Sequence, residues 1–255
     1  EQDASEMGRM WLEFGVDRSA TKRIVMTRVY NAQLFSAMQY VREWGEEKSN
    51  EEKFLPVDND QRACLYLARK IWEALDLVIS GAQAAMDWFG KVADICVKNE
   101  VPVRWTTPVG YPVRQDYRRY RMRNIKTRIG DTIRQHKLRE ETDRIDRRKM
   151  LNGLAPNWVH SMDASLMFLT ILEAKRQGVT DFAVVHDSFA TRAADAATLH
   201  ASIRDAAATM FSRDLLAEFK REVEAYLPPE VSLPELPAYG DLDPAAVRDS
   251  LYFFN

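Results

Sequence analysis

Arg18, Lys22, Met26 and Tyr30 recur at a strict interval of four, with Arg23 beside the second of them. Positions four apart turn only about 40° round a helix axis, so this spacing predicts a helix that shows these side chains along one face. The face runs from two cations through a thioether to an aromatic ring. It suits an anionic phosphate chain at one end and a stacked base at the other. Taken alone, a solvated basic stripe on an ordinary amphipathic helix accounts for the same residues.

Around this ladder the chain reads as α+β and mostly helical. Gly15 breaks a short helix ending at Trp11–Phe14, and Asp17 or Ser19 caps the next. Residues 33–44 are predicted helical, 45–60 a loop, and 61–98 a long helical stretch interrupted near Gly81. Residues 101–105 and 111–113 read as strands about a Thr-Thr-Pro-Val-Gly turn. Residues 117–128 and 132–139 form a projecting hairpin about Gly130-Asp131. A helix is expected over 143–154, and a second from Pro156 to Lys175 with His160 near its start. A buried strand follows at 182–185, paired with 189–192 across a turn holding His186, Asp187 and Ser188. Residues 195–226 are helical, 228–240 extended, and Asp243 caps a last short helix.

Charge is unevenly placed. The net charge is −2, yet 15 of the 36 Lys and Arg and only six of the 38 Asp and Glu fall in residues 104–149, leaving +9 there and −11 elsewhere. A basic block on an acidic body is the footprint of a phosphate-backbone partner, or simply of a solvated hairpin. No apolar run approaches the ~20 residues of a membrane helix, so no membrane partner is expected. Cys64 and Cys96 form no CxxC pair and read as reduced, which points to the cytoplasm. Asp187 at a hairpin tip offers hard carboxylate oxygens of the kind Mg²⁺ prefers, although taken alone an ordinary Asx turn is the better account of it. His160 and His186, singly, are as readily structural.

Four motifs in order carry a resemblance. Arg18-Ser-Ala-Thr-Lys22-Arg23-Ile-Val-Met26-Thr-Arg-Val-Tyr30 resembles the fingers-helix motif B of the single-subunit RNA polymerases of phages and mitochondria. Val185-His186-Asp187-Ser188-Phe189 resembles their palm motif C. Trp105–Val113 and Ala155–Asp163 resemble two further signatures of that family. The likeness covers nearly the whole chain, as the C-terminal portion of such an enzyme. It implies the fingers and palm parts of a right-hand polymerase fold: a fingers-side region at 1–113 with the nucleotide-binding helix, a basic specificity-loop-like hairpin at 114–150, and a palm at 151–255.

The resemblance further implies that Arg18, Lys22 and Arg23 bind the incoming triphosphate, with Lys22 donating a proton to the leaving group. It puts Tyr30 at the insertion site, His160 near the sugar with His186 beside it, and Asp187 on Mg²⁺ as one of two catalytic aspartates. Arg118, Arg119, Arg121, Arg123, Lys126 and Arg128 of the hairpin would contact nucleic acid, and the aromatic C-terminal end would pack near the active site. Asn31 and Ala190 stand where the family usually has Gly, and nothing before Asp17 resembles motif A. The expected partners are therefore a second polymerase subunit carrying motif A, the thumb and the N-terminal domain, together with DNA template, NTPs, RNA product and a DNA-opening accessory protein. The chain would be the C-terminal subunit of a split phage enzyme in the host cytoplasm, active only with its partner. Ser188, where family A DNA polymerases usually carry Glu, favours RNA synthesis over that alternative; a non-catalytic nucleic-acid-binding subunit is the remaining one.

Overall fold

A computed structural model describes residues 2–28, 32–49 and 60–253, and these form two compact units, residues 1–87 and 88–255. The described residues are mostly helical and include three separate two-stranded antiparallel sheets.

The first unit holds α1 (Gln2–Phe14), α2 (Arg18–Arg28), α3 (Leu34–Ser49), α4 (Asp60–Val78) and the start of α5 (Ser80–Lys98). Gly15, at φ +82°, ends α1. Asp17 then caps α2: its Oδ1 accepts the backbone N–H groups of Ser19 (2.8 Å) and Ala20 (3.3 Å) and the Ser19 hydroxyl. These bonds hold the Asp17 carboxyl down at about 2, the Ser19 hydroxyl contributing most. A folded-state pKa below the ordinary 3.8 means that the cap contributes fully above about pH 4 and is lost as pH falls toward 2. The thermal midpoint of the chain, followed by tryptophan fluorescence, should therefore fall on acidification from pH 4 to 2, and Asp17→Asn should flatten part of that fall.

Aromatic packing seats α2. Trp11, Phe14 and Trp44 stack at 5.5–6.1 Å, and Trp44 Nε1 donates to Ser19 Oγ at 2.8 Å, tying the start of α2 to α3. Trp11 Nε1 donates to the Ala63 carbonyl at 3.0 Å, tying α1 to α4. Ala20, Ile24 and Arg28 form the buried stripe of α2. Arg28 is 9% exposed, stacks on Trp72 and pairs with Asp76 at 3.1 Å. Helix α3 continues to Ser49, beyond the expected end at residue 44, and the break between α4 and α5 falls at Ile79, leaving Gly81 inside α5.

The second unit is built on one long helix. Strands β1 (Val103–Thr106) and β2 (Pro112–Gln115) form a short hairpin, and β3 (Arg118–Ile129) and β4 (Thr132–Ile145) a long one. Helix α6 (Arg147–Arg176) follows, capped by Asp146. The expected stop at Gly153 and restart at Pro156 do not occur: α6 runs 30 residues through Pro156. A proline inside a helix removes one intrahelical bond and crowds the preceding turn. Here tertiary packing outweighs that cost. Gly153 abuts Tyr117, where a Cβ would lie 3.0 Å from the ring, and Gln115 Nε2 donates to the Met150 carbonyl at 3.0 Å. Asn157 donates to both Gln115 Oε1 (2.8 Å) and the Tyr117 hydroxyl (3.0 Å). The turn before Pro156 and the turn after it are thus fixed to the same β2–β3 segment.

Trp88, Phe89, Trp105, Trp158 and Phe219 make an aromatic cluster with centroid separations of 5.1–6.3 Å. Strands β5 (Ala183–Val185) and β6 (Ser188–Ala190) follow α6, then α7 (Ala196–Phe211), α8 (Leu215–Glu224) and a 3-10 turn over Pro244–Arg248. Strand β5 is not the buried strand that its apolar run predicts: its residues alternate exposed and half-buried, and Val185 is 68% exposed. One face of this ribbon packs on the body through Phe189, and Ala183 and Val185 stand on its open face. Both cysteines are buried and neither is in a disulfide, and burial pushes the Cys96 thiol up to about 12, so it carries no thiolate chemistry near neutral pH. Among the described residues no helix is long and apolar enough to cross a membrane.

Candidate active site

The predicted ladder keeps its shared face as far as it is described. Arg18, Lys22 and Met26 are exposed, about 200° round the helix from the buried Ala20, Ile24 and Arg28. Tyr30 and Asn31 lie outside the described residues. Among the described residues no carboxylate pairs with Arg18 or Lys22. Arg23 differs: it is ion-paired with Glu43 of α3 and lies over the Tyr40 ring, 4.1 Å from its centroid. An exposed pair of this kind contributes roughly 0–1 kcal/mol, so Glu43 orients Arg23 without binding it firmly.

In the second unit, the motifs around Trp105 and Ala155–Asp163 are fastened to each other. Trp105 Nε1 donates to Ser161 Oγ at 3.0 Å, and Ser161 donates to the Trp158 carbonyl at 2.7 Å. With Trp158 and Ser161 committed to the core side, His160 and Asp163 stand on the exposed side of α6. His160 therefore lies in the middle of a long helix, not near the start of one.

The turn between β5 and β6 carries His186 and Asp187, both exposed. His186 sits at φ +54°, a left-handed conformation costing roughly 1–2 kcal/mol in a residue with a Cβ. Such strain is tolerated where the surroundings fix the turn. Phe182 and Phe189 supply that fixing, since both pack against the buried cluster of Ala174, Val179, Leu199 and Ile203. Asp163 reports the closeness of these parts. Burial pushes its carboxyl above the ordinary range, attraction to His160 pulls it back, and repulsion from Asp187 pushes it further up. The charges of His160 and Asp187 are thus both felt at Asp163. Asp163 was not singled out from the sequence, although its i+3 spacing from His160 was there to be read. No group of three His, Cys, Asp or Glu suited to a metal occurs among the described residues.

The long hairpin has both faces open to solvent. Its two-residue turn at Gly130-Asp131 fixes a register in which Ile129 opposes Thr132, Lys126 opposes Gln135 and Met122 opposes Arg139. One face therefore carries Lys126, Arg128, Lys137 and Arg139. The other carries Arg121 and Arg123 with Arg134, and Arg121 is paired with Glu140 at 2.9 Å. Arg119 is exposed at the hairpin base. Arg118 is instead held by Asp116 at 2.6 Å, beneath the projecting part. Lys137, Arg139 and Arg134 of β4, counted in the basic block but not singled out, share these faces with the β3 residues.

These motifs coincide with known sequences. The profile of the DNA-dependent RNA polymerase family matches residues 1–231. The chain belongs to the DNA-dependent RNA polymerase family. It is 36% identical over 240 residues to DNA-directed RNA polymerase 2, chloroplastic/mitochondrial, of Arabidopsis thaliana, covering 94% of this chain and 23% of that protein. It is 34% identical to the mitochondrial DNA-directed RNA polymerase 1 of the same plant, covering 94% and 24%. To DNA-directed RNA polymerase 2A of Nicotiana tabacum it is 32% identical over 242 residues, covering 94% and 70%. The chain spans about a quarter of the length of the Arabidopsis polymerases. These matches favour RNA polymerase over the family A DNA polymerase reading.

Proposed function

We propose that this chain supplies the fingers helix and the motif C part of the palm of a DNA-directed RNA polymerase, and that it works with a second polypeptide carrying motif A, the thumb and the N-terminal domain. The observation that carries the reading is the exposed Asp187 at the β5–β6 turn, its charge felt at Asp163 one helical turn from His160, inside a sequence matched to this family over residues 1–231. In the reaction the 3′-hydroxyl of the RNA gives its proton to solvent as its oxygen bonds to the α-phosphorus of an NTP; the bond from that phosphorus to the α–β bridging oxygen breaks, and pyrophosphate leaves.

Arg18 and Lys22 neutralise the triphosphate, and Lys22 gives the departing pyrophosphate a proton. Arg23 joins them on leaving Glu43. Met26 offers the base an apolar contact, Tyr30 borders the insertion site, His160 faces the sugar, and His186, next to Asp187, also meets the substrate. The donor chemistry fits Mg²⁺: an exposed carboxylate with no cation paired to it among the described residues suits an ion that binds through one or two carboxylates plus substrate phosphates. Asp187 would hold that ion, which supplies Lewis-acid polarisation of the reacting oxygens. The other aspartate comes from the partner.

The test is RNA synthesis on a primed single-stranded template with Mg²⁺ and NTPs. RNA should appear only when the chain is combined with a polypeptide carrying motif A. Synthesis by the chain alone would show a second metal carboxylate within it, and silence in both mixtures would favour a non-catalytic nucleic-acid-binding subunit. The split phage arrangement, the host cytoplasm as its location and the DNA-opening accessory protein belong to the same proposal.

For the hairpin, the expected ligand is the phosphate backbone. Replacing Lys126 and Arg128 by Gln together should weaken duplex binding about equally for all sequences. It should also lower the salt slope by about 0.9 per lost contact. Fluorescence anisotropy between 50 and 200 mM salt measures both.

A further inference from the structure

Arg204 on α7 is only 5% exposed, and among the described residues no carboxylate pairs with it. A buried guanidinium is costly unless its donors are met. Its Nη2 donates to the backbone carbonyl of Ser250 at 2.7 Å, and its Nη1 meets Nε2 of His200 one turn away. The segment it grips runs from the 3-10 turn at Pro244–Arg248 to Phe253. That segment lies along α7: Val247 and Phe253 pack against the cluster of Met162, Leu166 and Met210, and Arg248 pairs with Asp205, while beyond the turn Leu251 and Tyr252 are more than 80% exposed. Phe253 also packs on the cluster that seats Phe182 and Phe189, and Phe189 stands two residues after Asp187.

We propose that Arg204 is a positioning residue, a buried latch that pins residues 244–253 so that Phe253 completes the apolar seat of the Asp187 hairpin. A six-residue, two-stranded ribbon is marginal by itself, so its order depends on that seat. The fastening stands on contacts alone; its consequence for catalysis rests on the polymerase reading of Asp187.

Hydrogen exchange on the whole chain tests the latch. Arg204→Met should speed exchange of the 246–253 amides about tenfold or more and speed that of Ser188 and Phe189 as well, leaving α8 unchanged. Arg248→Met, which breaks only the exposed pair with Asp205 (2.8 Å), should do neither. Unchanged exchange at 246–253 or at the hairpin overturns the proposal. If Arg204→Met loosens every element including α8, Phe253→Ala decides: faster hairpin exchange with 246–250 still protected supports the latch, and an unchanged hairpin overturns it.

In the assembled polymerase Arg204→Met should lower kcat with KM for NTP unchanged, and Arg204→Lys should restore part of the loss. An unchanged kcat with a loosened hairpin removes the positioning role. A wild-type assembly that makes no RNA indicts the polymerase reading instead, and the exchange result stands apart from it.

Discussion

Asp187→Asn should reduce RNA synthesis by the assembled polymerase about 10³-fold or more while leaving the fold intact. The substitution keeps the shape of the side chain and removes its charge and one hard oxygen. Asp187 is exposed at the tip of the β5–β6 turn, makes no ion pair among the described residues, and buries nothing that Asn would leave unsatisfied. Its thermal midpoint should therefore match the wild type, so lost activity cannot be assigned to unfolding. Asp163→Asn is the informative neighbour. It removes the carboxylate that Asp187 repels, and it should cost far less than Asp187→Asn if only the latter binds the ion. Run-off synthesis at several Mg²⁺ concentrations measures both. Full activity of Asp187→Asn at ordinary Mg²⁺ would sink the catalytic assignment.

Lys22→Met should lower kcat about 10²- to 10⁴-fold, the usual range for loss of a positioned proton donor. The matched variant Lys22→Arg separates two roles. Arginine keeps a cation on the same exposed face of α2 but does not give up its proton near neutral pH. If Lys22 only neutralises the triphosphate, Lys22→Arg restores most of the rate. If it protonates pyrophosphate, Lys22→Arg stays slow with KM for NTP near the wild-type value. Because Lys22 lies opposite the buried Ala20–Ile24–Arg28 stripe, neither change disturbs the packing that seats the helix. Single-turnover rates across pH 6 to 9 distinguish the cases.

Features set by local rules were legible in the sequence. The four-residue ladder, the Asp17 cap and Gly15 gave α2 with its exposed face, and Gly130-Asp131 gave the long hairpin. Features set by distant contacts were not. Pro156 reads locally as a helix start, yet α6 passes through it because Gln115 and Tyr117, some 40 residues away in the chain, hold the turns on either side. The Val184-Val185 run reads as buried, yet burial needs a second layer that apolar composition does not reveal. In the candidate site, Asp187 and His160 were visible as residue types in familiar motifs. Asp163 closes one of those motifs, but nothing local marks it out; the pull of His160 and the push of Asp187 on its carboxyl come from the fold. The engagement of Arg23 by Glu43 and Tyr40 was equally hidden, being a contact between helices.

Helix α6 joins the basic hairpin to the Asp187 turn with almost no slack: Asp146 alone separates β4 from the helix, and six residues separate its end from β5. At 1.5 Å per residue its 30 residues span about 45 Å. It acts as a ruler. Whatever the hairpin grips is held at a set distance and angle from the carboxylate, and one extra residue within α6 would swing the two ends about 100° out of phase. Drift among relatives is therefore expected in the hairpin's length and charge, and not in the number of residues between Asp146 and Gly178.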